Sequence, residues 1–130
     1  MQKYYKYQYR FNASHSFDYD REHEHMHTFT ITVYISPTDS DKEFAFTDID
    51  ERMDVFLSYY EGKYLNDLPE FSQNSPTLEC IGDCFYEKLS DKLKGIGIEL
   101  HQLDIADHPT STYQVSDRLH IPVCYIRELE

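Results

Sequence analysis

Residues 23–35 read HEHMHTFTITVYI, and the histidines that open this stretch are the side chains best suited to hold a metal. Two backbones would give two chemistries. On a helix, H-E-x-x-H pairs His23 with His27 and leaves Glu24 as a base, the arrangement of a helical zinc protease, because only there do i and i+4 share a face. On a strand, H-x-H puts His25 and His27 on one face, roughly 7 Å apart at Cα. The tail decides between them. TFTITVYI is β-branched and aromatic almost without a break, which is strand chemistry. Phe29, Ile31, Val33 and Ile35 continue the histidine row on that strand. The row faces a core, with the histidines at its open end.

A third imidazole follows from the preceding segment. KYYKYQYRFNASHSF alternates and predicts a first strand over about Tyr4–Ala13, with His15 just past its end. If the two strands form a hairpin, His15 lies beside His25 and His27. Three imidazoles with one open position make a catalytic type of zinc site rather than a structural one. Nitrogen-only ligation also suits iron, cobalt or nickel. The bland alternative is a group of surface histidines near a turn, since the chain has seven. His23, in the loop DYDREHE, is an alternative fourth ligand.

The remaining elements must position this cluster. FTDIDERMDVFLSYYE predicts a helix, capped by Thr47 or Asp48, with Ile49, Met53, Phe56, Leu57 and Tyr60 at helical spacing. LNDLPEFSQNSP reads as a loop. A second helix starts near Pro76 or Thr77 and runs to about Lys94, with Leu78, Ile81, Phe85 and Leu89 on one side and GIG at 95–97 ending it. IELHQLDIADH and STYQVSD predict a third and a fourth strand, and CYIRE a possible extension. The order β-β-α-α-β-β predicts an α+β domain spanning residues 1–130, with two helices on one face of an antiparallel four-stranded sheet.

Composition narrows the function classes. The chain has 130 residues and a formal net charge of −12, which argues against a nucleic-acid partner. A small anionic substrate needs only a local positive site and is not excluded. No apolar run is long enough to cross a membrane and no signal-peptide pattern opens the chain, so a soluble, cytoplasmic protein with no membrane partner is expected. Cys80, Cys84 and Cys124 fit neither a disulfide framework nor a zinc ribbon, and Cys80 and Cys84 read as small buried hydrophobes.

Taken together, the motifs resemble the 6-pyruvoyl-tetrahydropterin synthase and 6-carboxy-tetrahydropterin synthase family. FNASH followed by HMHTFTITV resembles its A-x-H and H-G-H-[NST]-[YF] segments. FTDID, KYLND, SPTLE and DHPTSTY resemble, in order, segments at the first helix, the loop after it, the second helix and the end of the third strand. The resemblance covers nearly the whole chain. It implies a tunnelling fold whose barrel is completed by oligomerisation, commonly a hexamer built as a dimer of trimers. It implies Zn2+ on His15, His25 and His27, and a pterin substrate, usually dihydroneopterin triphosphate. The reaction would be side-chain cleavage or triphosphate elimination, carbon–carbon or carbon–oxygen lyase chemistry that serves folate, queuosine or biopterin routes. Asp107 would anchor the pterin ring and Thr77 would touch it.

The departures from the family pattern carry as much information. Where the synthases have a catalytic Cys, this chain has Arg21, whose guanidinium could attract the triphosphate or simply balance nearby acids. One branch instead places a Glu three residues before the first His of H-x-H, and REHEHMH puts Glu22 there, making it the candidate base. The family's Asp-His proton relay aligns with Glu61 and Gly62, so the imidazole is missing, and His108 is the candidate substitute. Met26 replaces the Gly of H-G-H, and Asp107 replaces a Glu. These departures leave open a catalytically impaired or repurposed pterin-binding member.

Overall fold

A computed structural model describes residues 3–39 and 45–117. Its strands are β1 (Tyr5–His15), β2 (His25–Pro37), β3 (Ile98–His108) and β4 (Ser111–Ser116), and its helices are α1 (Phe46–Ser58) and α2 (Leu78–Lys94). The strands pair antiparallel in the order β1-β2-β3-β4. This is the expected β-β-α-α-β-β arrangement, with two refinements. β1 runs past Ala13, so His15 ends the strand instead of following it, directly opposite His25 in register. The stretch read as a loop between the helices contains two 3-10 turns, Leu65–Asp67 and Pro69–Phe71. CYIRE and Cys124 lie outside the described residues. Among the described residues no helix is long and apolar enough to cross a membrane.

The period of two along the strands builds the core. Phe11 and Ala13 on β1, Phe29, Ile31, Val33 and Ile35 on β2, and Leu103 and Ile105 on β3 are buried on the face that the helices cover. Ile49, Met53, Phe56 and Leu57 from α1, and Ile81, Phe85, Leu89 and Leu93 from α2, pack into the same cluster. An aromatic stack anchors it: Phe11 lies 5.0 Å from Phe29 and 5.6 Å from Phe85, ring centre to ring centre. α2 begins where expected and is capped by Thr77, whose Oγ accepts from Cys80 N at 3.2 Å. α1 is not: its N-cap is Ala45, and neither Thr47 nor Asp48 caps it, because both lie inside the helix.

α2 comes close to the sheet only because residue 82 has no side chain. A Cβ there would stand 2.7 Å from Tyr113 Cδ2 and 3.0 Å from Ile105 Cγ2. Tyr113 has little freedom to retreat, since its hydroxyl donates to Asp83 Oδ1 at 2.7 Å. Overpacking of this kind costs about 1–3 kcal/mol, and better helix propensity returns up to about 1 kcal/mol. Gly82→Ala is therefore expected to lose about 1 kcal/mol net, read as a lower urea midpoint at unchanged slope.

Candidate metal centre

The end of the β1–β2 hairpin brings His15, His25 and His27 together. One ring nitrogen from each lies within 4.8 Å of the others. The ring centres of His15 are 5.2 Å from His25 and 5.0 Å from His27. His15 is fully buried, His27 is half-buried and His25 is exposed, so the cluster opens toward solvent on one side. Phe29 forms its floor, 5.6 Å from His15 and 5.9 Å from His27.

One atom states the chemistry of the cluster. His15 Nδ1 lies 2.7 Å from the carbonyl oxygen of Pro76. A carbonyl only accepts, so Nδ1 carries the proton and Nε2 carries the lone pair. That Nε2 is buried and, among the described residues, has no hydrogen-bond partner. A buried acceptor left unpaired is costly, and a cation shared with two neighbouring imidazoles would satisfy it. A backbone carbonyl bonded to the far ring nitrogen orients metal-binding histidines in this way. The three side chains therefore fit a metal, which they would hold through nitrogen alone.

The electrostatics agree. Burial, with help from the neighbouring imidazoles, holds His15 and His27 below the usual imidazole range; the Pro76 bond and Asp107 oppose this for His15, and Asp107 opposes it for His27. Both rings are neutral at pH 7, the form that ligates.

The other sequence-predicted residues fall at varied distances from this centre. His108 is beside it, its ring centre 5.6 Å from that of His27, and its Nδ1 donates to Asp107 Oδ1 at 2.7 Å. Thr77 adjoins Pro76, but its oxygen already caps α2. Glu22 lies in a short 3-10 turn, Arg21–His23, with an exposed side chain that makes no hydrogen bond or ion pair among the described residues. His23 is turned to Asp18 instead of the triad. Asp18, Asp20 and His23 gather ligand-type atoms too, but all three are exposed and engaged with one another. Met26 is exposed, pointing away from the centre as a strand requires. Cys80 and Cys84 are half-buried on α2, and burial pushes the Cys84 thiol up to about 11, which suits packing and not nucleophilic work.

The residues at the missing relay are engaged elsewhere. Glu61 accepts from Asn12 N at 2.7 Å and from Asn12 Nδ2 at 3.0 Å. Gly62 has φ +74 and donates to Asn12 O at 2.7 Å. Sequence reasoning missed this seam, where Ser14 N also bonds Lys63 O at 2.9 Å and Asn66 holds both backbone groups of Ser16. The signal was KYLND, whose Asn had no role assigned.

A polar groove of about 510 Å³ crosses the sheet face away from the helices, lined by Lys6, Arg10, Thr30 and Asp104 among others, and reaches Asp107 and His108.

Comparison with known proteins gives a consistent result. Residues 4–118 match the family model described as 6-pyruvoyl tetrahydropterin synthase. The structure resembles 6-pyruvoyl tetrahydropterin synthase from Caenorhabditis elegans at TM-score 0.70 and 17% identity, covering 88% of this chain and 94% of that one. It resembles the Plasmodium falciparum 6-pyruvoyl tetrahydropterin synthase at TM-score 0.59 and 14% identity, covering 88% and 98%. An uncharacterized protein from Wolinella succinogenes matches at TM-score 0.63 and 12% identity, covering 89% and 99%. No curated protein sequence matches the chain.

Proposed function

This chain belongs to the 6-pyruvoyl tetrahydropterin synthase family, and from that premise we propose that it is a zinc-dependent lyase acting on dihydroneopterin triphosphate. The observation that carries the reading is the buried Nε2 of His15, without a hydrogen-bond partner among the described residues, in a ring grouped with two further imidazoles. When bound there, a metal would supply Lewis acidity, lowering the pKa of a substrate side-chain hydroxyl. The protein's own residues supply the rest. Pro76 O fixes the His15 tautomer. Asp107 holds His108 by Nδ1 and leaves its Nε2 to accept or return a proton. Glu22, exposed at the loop before His25 and unengaged among the described residues, is the second base. Thr77 still has a hydroxyl proton to donate to a pterin. Lys6 and Arg10 face the groove that reaches His108 and favour an anionic substrate on a chain of net charge −12.

The test is a product assay by mass spectrometry on zinc-loaded protein, with Glu22→Gln alongside. A new pterin from the parent, with the Glu22→Gln rate lower by about a hundredfold at equal metal content, is the expected result. The product mass identifies the bond cut. Unchanged substrate from metal-loaded protein would favour a second reading, a pterin-binding member without turnover, which the engagement of Glu61 by Asn12 and the absence of a side chain at Gly62 support.

The sheet edges favour a homo-oligomer, a hexamer in this reading. On β1 the outer backbone at Asn12 and Ser14 is covered by Gly62 and Lys63. Among the described residues β1 and β4 are the outermost strands of the sheet, and outer strands of an open sheet can pair with further chains. Light scattering is expected to find an oligomer, and a stable monomer would remove this part.

A further inference from the structure

His25 is the least supported of the three histidines. It is exposed, begins β2, and forms with His15 the last pair of the β1–β2 ladder. Ladder ends fray, and beyond this pair no backbone bond holds the strands together. Side chains tie them here. Glu24, immediately before His25, accepts a hydrogen bond from Ser14 Oγ, immediately before His15. Arg21 holds the same carboxylate, its Nε 3.4 Å from Glu24 Oε1. Its Nη1 reaches Asp67 Oδ2 at 3.3 Å, and its Cζ lies 4.6 Å from the centre of the Tyr64 ring. The Tyr64 hydroxyl bonds Ser16 Oγ at 2.6 Å, and Asn66 grips the Ser16 backbone at 2.9 and 2.7 Å. His15 thus sits between two anchored serines, and the loop entering His25 is tied to the same anchor.

We propose that Glu24 and Arg21 form a clamp that sets the spacing of His25 and His15, and so act as positioning residues for the metal. The inference rests on the metal reading above, but assigns work to residues that reading does not use. It also gives Arg21 a place as part of the scaffold and not as an anion anchor. The two residues are unequal. Arg21 is 65% exposed, and exposed ion pairs contribute little. Glu24 is 28% exposed and holds the hydroxyl of a buried serine, so its loss should weigh more.

Zinc affinity measured by competition with a chromophoric chelator, together with the visible spectrum of the cobalt(II) form, tests this. Glu24→Ala is expected to bind zinc about tenfold to a hundredfold more weakly and to shift the cobalt spectrum. Glu24→Gln should stay within about threefold of the parent, because its amide oxygen still accepts from Ser14. Arg21→Met should weaken binding about threefold. If Glu24→Ala fails to fold, Ser14→Ala removes the same bond from the other side. Parental zinc affinity and cobalt spectrum in Glu24→Ala or Ser14→Ala overturn the clamp while leaving the metal reading intact. A parent chain that takes up no zinc overturns the metal reading, and the clamp with it.

Discussion

Alanine at His27 is expected to lower zinc affinity by more than about a hundredfold, the upper end of what loss of a supporting residue does. Only His15 and His25 would remain, and two imidazoles leave half of a tetrahedral shell to water. His27 is the cleanest of the three to test. His15 is fully buried and bonded to Pro76, so its removal would disturb the loop before α2 as well as the cluster. His27 is half-buried, and its side chain makes ring contacts with His15, His25, Phe29 and His108 but no hydrogen bond among the described residues. Metal analysis and chelator competition on folded His27→Ala decide the matter, and full retention of zinc would sink the three-histidine site. Acid provides an independent check on metal-free protein. His15 and His27 titrate lower in the folded chain than in the unfolded one. As pH falls below about 6.5, the unfolded chain takes up protons that the folded chain refuses. Stability is therefore fully present above the unfolded value and is lost as pH falls toward the folded values. Melting temperature should drop through that window, and less so in His27→Ala.

The sheet and the triad were legible because both rest on a period of two. TFTITVYI fixed the face of β2, and the same count placed His25 and His27 together on that face. His15 needed one further step, the hairpin, and the register pairs it directly with His25. What the sequence did not show is what no local pattern encodes. Pro76 reaches His15 across 61 positions, through a backbone oxygen that every residue type carries. Asn66 binds Ser16 as a strand would, using a side chain in place of a backbone. The cap expected from Thr47 or Asp48 failed because the helix begins earlier, at Phe46, leaving both residues inside its first turn. The helical motif gives Glu24 the place of a base. On the strand its value lies in reaching Ser14, a contact that requires knowing which strand end lies alongside.

His108→Gln is expected to lower kcat by about 10²–10⁴, with zinc retained and KM little changed. The two positions where the resemblance implies a proton relay hold Glu61 and Gly62. Glu61 is fixed to Asn12 through both its oxygens, and Gly62 has no side chain to titrate. Proton transfer near neutral pH then needs another imidazole within reach of the triad. Among the described residues outside the triad, His108 is the imidazole in ring contact with it, and Asp107 gives it the hydrogen bond that orients such a base. Asp107→Asn separates the two roles open to that carboxylate. As orienter of His108, its replacement should lower kcat and leave KM nearly unchanged. As anchor of the pterin ring, its replacement should raise KM and leave kcat nearly intact. The double variant sharpens the distinction, since residues that act as a unit are far from additive. If the pair is one device, His108→Gln combined with Asp107→Asn should be scarcely slower than His108→Gln alone. Parental kcat in His108→Gln would remove this histidine from the reaction and leave Glu22 as the remaining base. Separately, metal-loaded parent protein without turnover would mean that the chain kept the metal centre of its family while the seam at Asn12 took over the carboxylate its relay required.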